Sequence, residues 1–329
     1  MTPELIAVIV LALAFDFLNG IHDSSNVVAT MISSRAYSPR VALGVTALAN
    51  FVGPLIFGVA VAETIGNEVV YAHAITVTVI LAALSSAILW NLLTWYLGFP
   101  SSSSHALIGG IIGAVAIGAG LQAIKPNGVL KVFIPLFTSP LIGFAVGFLL
   151  LRLTLLLSWS ATPRINSVFR RSQLFTGLAL ALSHGTNDSQ KTMGIITLAL
   201  VTGGVLKTFA VPQWVIVACA SMIALGTAVG GWRLIRTLGA KMFKIRPVDG
   251  FCSQFASAGV ILAASLSGGP VSTTQVVSSS IMGVGTGERA NKVRWGVAQE
   301  IVMAWLFTVP VAALMAAGIY WVLARFIAP

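Results

Sequence analysis

Two short polar motifs occur within long apolar segments of the chain. Residues 20–24 read Gly-Ile-His-Asp-Ser and residues 185–189 read Gly-Thr-Asn-Asp-Ser. An aspartate inside an apolar span costs about 2.5–3.5 kcal/mol on insertion scales, so it needs a partner or a polar cavity. Carboxylate oxygens, amide oxygens and unwound backbone carbonyls are hard ligands that suit an alkali cation. The pattern predicts a cation site with four candidate residues: Asp23, Asn26, Asn187 and Asp188. The cation would be a proton, or a sodium ion bound by the two aspartates.

Two runs of hydroxyl residues form a second repeated pattern. Residues 100–105 read Pro-Ser-Ser-Ser-Ser-His, and residues 270–275 read Pro-Val-Ser-Thr-Thr-Gln. A helix that begins after such a proline directs unpaired N–H groups and a positive dipole end toward whatever precedes it. Two such helix starts would form an oxyanion cradle, although N-capping or helix packing would also account for single hydroxyls. The candidate anion ligands are Ser102, Ser103, Ser104, Ser272, Thr273 and Thr274.

These two sets of residues complement each other in charge. Carboxylates alone would repel an oxyanion in a low-dielectric site, whereas a cation between them would favour joint binding. Lys191, three positions after Asp188, is predicted to pair with that aspartate inside the span, with assistance to anion entry as the alternative role. Structural hydrogen bonding remains the alternative role for either aspartate. Joint binding of a cation and an anion is the physical basis of symport.

The composition identifies the class of protein. Of 329 residues, 57% are hydrophobic and 9% are charged, whereas about 25% of the residues in soluble proteins are charged. So few charges cannot cover a soluble globule of this size, and the chain is predicted to be an all-α polytopic membrane protein. Cys219 and Cys252 both fall in apolar segments, which indicates neither a disulfide framework nor a metal cluster. No tightly bound cofactor is expected.

Apolar runs of about 20 residues define the predicted membrane crossings. The sequence predicts about ten crossings, or up to twelve if the broken segments near 98–104 and 268–274 form hairpins. The acid motifs interrupt the first and the sixth crossing. The predicted crossings are 3–32, 41–62, 72–97, 104–122, 131–152, 174–202, 213–233, 250–267, 274–286 and 295–324.

The net charge of +10 is distributed unevenly among the predicted loops. The outer loop at 63–73 carries Glu63 and Glu68. With both termini outside, the inner loops contain fourteen Lys and Arg residues, and the outer side contains only Lys125, Lys131, Lys207 and Arg325. Basic residues favour the cytoplasmic side, so both termini are predicted to lie outside. The same distribution explains the positive charge without a nucleic-acid partner.

The chain contains two related halves, because both motifs recur in the same order. Each half has five predicted crossings, an odd number, so the second half starts on the opposite face of the membrane. The chain divides into a first repeat at 1–157, a cytoplasmic connecting loop at 158–173 and a second repeat at 174–329. Inverted repeats with broken helices are typical of secondary transporters that bind their substrates near the bilayer midplane.

The acid and hydroxyl motifs resemble the duplicated signatures of the inorganic phosphate transporter (PiT) family. Residues 20–26 and 185–189 match its Gly-Ala-Asn-Asp-type signature, and the runs at 100–105 and 270–275 match its second motif. The resemblance implies a secondary transporter that imports inorganic phosphate with sodium or protons by alternating access, as a homodimer in the plasma membrane. It also implies cation binding by the four acid-motif residues and phosphate binding by the two hydroxyl runs.

Some positions depart from the family pattern. His22 stands where the first motif of the family has Asn, and Asn50 and Gln254 stand where the resemblance suggests Glu in eukaryotic members. The long cytoplasmic loop of those members is absent from this sequence. The chain therefore resembles a compact prokaryotic member of the family, and the lost acids leave both sodium and protons open as coupling ions.

Three other functions are compatible with parts of the pattern. A sulfate permease is the nearest alternative, although hydrogen phosphate can donate to a carboxylate and sulfate cannot, which favours phosphate. An anion channel would conduct without a cation gradient and would not require paired aspartates. An intramembrane enzyme is disfavoured, because no nucleophile and base have a suitable spacing, and the chain is predicted not to be an enzyme.

Overall fold

The computed structural model describes residues 2–67, 70–71 and 74–326, and these residues form an all-helical structure. Glu68 and the first two positions of the predicted crossing 72–97 lie outside the described residues. A single isolated bridge, between Val70 and Ile124, is the one β contact in the described ranges. The α-helices are α1 (Pro3–Ser33), α2 (Pro39–Phe57), α3 (Ala60–Asn67), α4 (Val77–Leu97), α5 (Ser103–Gly118), α6 (Pro126–Leu157), α7 (Ile165–Thr202), α8 (Gln213–Val229), α9 (Trp232–Arg236), α10 (Pro247–Leu266), α11 (Thr273–Glu288) and α12 (Trp295–Leu323).

Six of these helices are long and apolar enough to cross a membrane: α1, α2, α4, α6, α10 and α12. A seventh span results if α8 and the bent segment Trp232–Lys241 count as one, with a bend of 62° between them. The central helix α7 is long but carries several charged and polar residues, and α5 and α11 have only 16 residues each. The predicted membrane class is thus confirmed with six or seven apolar spans, and the ten crossings stay a prediction.

The breaks near 98–104 and 268–274 are present, between α4 and α5 and between α10 and α11. Gly98 and Gly268 follow the ends of α4 and α10 with positive φ angles of 77° and 73°. This left-handed conformation favours glycine because it lacks a Cβ atom, and it commonly ends a helix. Other boundaries differ from the expected ones, since α2 ends at Phe57 and α8 at Val229, each before a short further helix.

The backbone is not unwound at the acid motifs. Both α1 and α7 run through their motifs as continuous helices. The polar side chains there find partners on neighbouring helices, so the backbone hydrogen bonds need not open to satisfy them. In addition, α7 begins at Ile165 and so covers part of the connecting segment expected at 158–173.

Helices from the two halves of the chain are interleaved. The pairs α1–α8 and α2–α7 pack against each other, as do α5–α12 and α6–α11. The middle of α7 is buried on every side from Ser183 to Leu200, and α1 is buried from His22 to Met31. A helix that is enclosed on all sides lies in the centre of the molecule. Both acid motifs are therefore central.

Candidate functional site

Asp23 of α1 and Asp188 of α7 lie close together at the centre of the protein. His184 Nε2 lies between them, 3.0 Å from Asp188 Oδ2 and 3.9 Å from Asp23 Oδ2. All three side chains are buried, and their possible ligand atoms lie within 4.8 Å of one another. Sequence reasoning missed His184 as a member of this group. Its position four residues before Asp188, on the same helical face, is the signal that could have identified it.

The second hydroxyl run contacts both aspartates directly. Thr274 donates a hydrogen bond to Asp23 Oδ1 at 2.9 Å and accepts one from Asn26 Nδ2 at 3.0 Å. Thr273 donates to Asp188 Oδ2 at 2.9 Å. The start of α11 therefore joins the two acid motifs, one threonine to each carboxylate.

The first hydroxyl run reaches the same place through Lys191. The ammonium group of Lys191 forms an ion pair with Asp188 and donates to Ser104 Oγ at 2.6 Å and to the carbonyl oxygen of Val271 at 3.0 Å. The pair of Lys191 and Asp188 predicted from the sequence is thus present. It also attaches the start of α5 to the acid group.

The starts of α5 and α11 meet across the site. Ser102 and Ser272 are their N-caps and accept hydrogen bonds from the backbone N–H groups of His105 and Gln275. The side chains of His105 and Gln275 approach each other, with 3.5 Å between Nδ1 and Nε2. N-capping therefore accounts for these two hydroxyl oxygens, while Ser103 lies buried beside them. Two positive helix ends directed at one region suit an anion.

Asn187 lies apart from the other predicted cation ligands. Its amide nitrogen donates to Ser265 Oγ at 2.9 Å, and its amide oxygen accepts from the backbone N–H of Val271 at 3.3 Å. Successive residues of an α-helix point about 100° apart, so the residue next to Asp188 cannot share its direction. The Asn187 side chain bonds to the break between α10 and α11, and its hydrogen bonds within the described ranges do not include either aspartate.

Three residues that depart from the family pattern have structural partners. His22 Nδ1 lies 2.8 Å from Asp23 Oδ1. Asn50 donates to Thr227 and places its amide oxygen 3.3 Å from His184 Nδ1. Gln254 donates to Thr30 Oγ1 at 2.8 Å. Of the three, only His22 contacts an aspartate directly, and Asn50 acts on the acid group through His184.

The oxygen atoms available as ligands at the centre fit a small cation. Asp23 Oδ2 and Asn26 Oδ1 are buried and have no hydrogen-bond partner among the described residues. Unpartnered acceptor oxygens in a protein interior are costly unless a positive species satisfies them. The four predicted residues thus divide into three at or next to the acid group and one, Asn187, that supports the adjoining helix break.

Known proteins similar to this chain match nearly all of its length. It is 45% identical to a protein of Bacillus subtilis (strain 168) named "Probable low-affinity inorganic phosphate transporter", with 97% of this chain and 96% of that protein covered. A protein of Rhizobium meliloti (strain 1021) with the same name is also 45% identical, with the same coverage of both chains.

The fold also matches a solved structure, named "The sodium-dependent phosphate transporter". The TM-score is 0.89 at 24% sequence identity, and the match covers 99% of this chain and 100% of the other. A model described as "PHO4: Phosphate transporter family" matches residues 19–164 and 157–316 of the sequence. The chain therefore belongs to the phosphate transporter family, as its two duplicated motifs predict.

Proposed function

We propose that this protein imports inorganic phosphate together with a cation, sodium or a proton, by alternating access in the plasma membrane. The observation that carries the proposal is the direct contact of Thr273 with Asp188 and of Thr274 with Asp23. Residues suited to a cation and residues suited to an oxyanion thus occupy one buried site. A cation and phosphate bound there would stabilise each other, because opposite charges attract strongly away from bulk water.

Competition for the carboxylates provides the coupling step. The two threonine hydroxyls now donate to Asp23 and Asp188. A cation bound by those carboxylates offsets their charge, and the hydroxyls then turn to donate to phosphate. Ser103, Ser104 and the starts of α5 and α11 complete the phosphate site. Without the cation, the same carboxylates repel the anion and keep the threonines occupied.

The relatives support the choice of phosphate, because they are named inorganic phosphate transporters. The structural neighbour is named a sodium-dependent transporter, which supports sodium as one candidate coupling ion. We assign Asp23, Asn26 and Asp188 to cation binding and Asn187 to positioning of the α10–α11 break.

An inverted repeat underlies the proposed transport cycle. The helices from α1 to α6 and from α7 to α12 show a similar pattern of lengths, since in each series the first and sixth are the two longest, the third is the shortest and the fifth has 16 residues. The reciprocal packing of α1 on α8 and α2 on α7 fits two equivalent halves, 1–157 and 174–329. Rocking of such halves about a central site is how inverted repeats give alternating access. We place both termini outside and expect a homodimer.

Uptake of labelled phosphate into proteoliposomes tests the proposed function. Sodium and pH gradients are imposed separately, and unlabelled sulfate is added as a competitor. We expect accumulation above equilibrium with at least one inward cation gradient and little competition by equimolar sulfate. Phosphate flux that needs no cation gradient would indicate a channel, and full inhibition by equimolar sulfate would indicate a sulfate permease.

A further inference from the structure

A third carboxylate of the membrane interior, Asp16, lies outside the site described above. It is on α1, about two turns before Asp23, and it is fully buried. Thr192 of α7 donates a hydrogen bond to its Oδ1 at 2.5 Å. No Lys, Arg or His side chain forms an ion pair with it in the described part of the chain. An ionised carboxylate in this position would have the Thr192 hydroxyl and the Cys219 thiol of α8 as neighbouring donors, but no ion-pair partner among the described residues.

Two buried oxygen atoms at this position, one from the Asp16 carboxylate itself and one from the neighbouring Asn19 amide, have no hydrogen-bond partner among the described residues. Asp16 Oδ2 and Asn19 Oδ1 are both buried and accept no hydrogen bond among the described residues. Residues three apart on a helix lie on the same face. Leaving two buried acceptor oxygens on one helix face without a donor is costly, and a proton bound there would offset that cost.

A proton fits this position better than a metal ion. The central group offers a cation two carboxylates, Asp23 and Asp188, whereas this position offers one carboxylate, Asp16, to which the Thr192 hydroxyl donates its hydrogen. A proton needs only one donor atom and one acceptor. A proton on Asp16 Oδ2 would complete a hydrogen bond to Asn19 Oδ1 and leave no buried charge.

The surroundings couple this carboxylate to the central site. Thr192 directly follows Lys191 and lies one helical turn after Asp188, so a shift of α7 changes both positions together. The titratable groups that act on Asp16 are Cys219 of α8, and Asp188 and Lys191 of α7. The adjacent helix α4 contains no charged residue.

We propose that Asp16, Asn19 and Thr192 form a proton site that is loaded and emptied during the transport cycle. On loading, a proton from water bonds to Asp16 Oδ2; on release, that bond breaks and the proton returns to water on the other side. No other bond is made or broken. This inference rests on the proposed function and assigns one coupling ion, the proton, to a residue separate from Asp23 and Asp188.

Phosphate transport by the Asp16→Asn variant, reconstituted in proteoliposomes, tests the proposal. Asparagine retains the size of the side chain but cannot release a proton. We expect uptake driven by an inward proton gradient to fall about tenfold or more, because the coupling is removed, while exchange of internal for external phosphate falls much less. Glu300→Gln, which removes an exposed carboxylate of α12, is the matched control and should retain both activities.

Equal loss of exchange and gradient-driven uptake in Asp16→Asn would overturn the proposal, as would unchanged gradient-driven uptake. Wild-type transport driven by sodium alone would overturn the proton assignment but leave phosphate symport intact. Failure of the wild type to transport phosphate at all would instead refute the proposed function.

Infrared difference spectra of the purified protein between low and high pH give an independent test. The band of a protonated carboxylic acid should disappear in Asp16→Asn and persist in Glu300→Gln, and persistence in both would contradict the assignment.

Discussion

Thr273 and Thr274 are neighbours in sequence but bond to aspartates from different halves of the chain. Since they lie in the first turn of α11, a small rotation of that helix start would alter both contacts at once. Each threonine donates to a carboxylate, so each is available to phosphate only when something else satisfies that carboxylate. At the residue scale, the proposed coupling between cation and anion therefore depends on these two hydroxyl groups.

Neutralising Asp188 should abolish coupled uptake. The single change Asp188→Asn leaves Lys191 buried without its carboxylate, and breaking a buried pair in this way costs about 3–5 kcal/mol. The double variant Asp188→Asn with Lys191→Asn removes that problem, because Asn26 occupies the equivalent position of the first motif. We expect a folded protein, verified by size-exclusion chromatography, that has no gradient-driven phosphate uptake. Uptake near the parent level would remove Asp188 from the mechanism.

Removing one hydroxyl should weaken phosphate binding. We expect Thr273→Val to raise the half-saturation concentration of phosphate about tenfold, because a hydrogen bond to a charged group contributes about 1.5–3 kcal/mol. Thr197→Val is the matched control, since the Thr197 hydroxyl is buried in the same central helix and has no hydrogen-bond partner within the described part of the chain. Equal half-saturation concentrations for the two variants, measured by initial uptake rates, would contradict the assigned role.

At the scale of helices, close backbone contact determines where the acid motifs lie. Gly226 of α8 packs against Gly20 of α1, and a Cβ atom on Gly226 would lie only 2.0 Å from the carbonyl oxygen of Phe17. Residue 20 begins the first acid motif, so this contact sets the distance between α1 and α8 beside the site. Small residues at such crossings are typical of membrane helix packing.

A methyl group at this crossing should destabilise the protein. Gly226→Ala forces α1 and α8 apart, and overpacking of this kind costs about 1–3 kcal/mol. Gly259→Ala is the control, because no atom of the residues that the structure describes lies within 4 Å of a Cβ atom at that position. We expect a lower thermal unfolding midpoint in detergent for Gly226→Ala than for Gly259→Ala. Equal thermal unfolding midpoints for the two variants would contradict this prediction, because they would show that α1 and α8 can move apart without loss of stability.

Particular elements explain how much could be predicted from the sequence. The helix breaks were predictable because Gly98 and Gly268 mark them chemically, and the pairing of Lys191 with Asp188 followed from helical spacing alone. The positions of the Asn187 and His184 side chains could not be predicted, because they depend on which neighbouring helix each side chain faces. The partners of the acid-motif side chains, such as Thr274, could not be predicted for the same reason, since they are remote in sequence.

For the whole molecule, the interleaving of the two halves brings four separate motifs to one central place. The two acid motifs come from α1 and α7, and the two hydroxyl runs come from the starts of α5 and α11. Any relative movement of the halves would therefore act on the proposed cation ligands and the proposed anion ligands together. By linkage, a cation that increases phosphate affinity is itself bound more tightly, by the same factor, when phosphate is present.

Equilibrium binding of labelled phosphate to the purified protein, measured against sodium concentration and against pH, tests this coupling most directly. We predict that phosphate affinity rises about fivefold or more with at least one of the two cations, and that the increase disappears when Asp23→Asn is combined with the Asp188→Asn and Lys191→Asn changes. Phosphate affinity that is independent of both sodium and pH in the wild type would contradict a shared site for cation and anion.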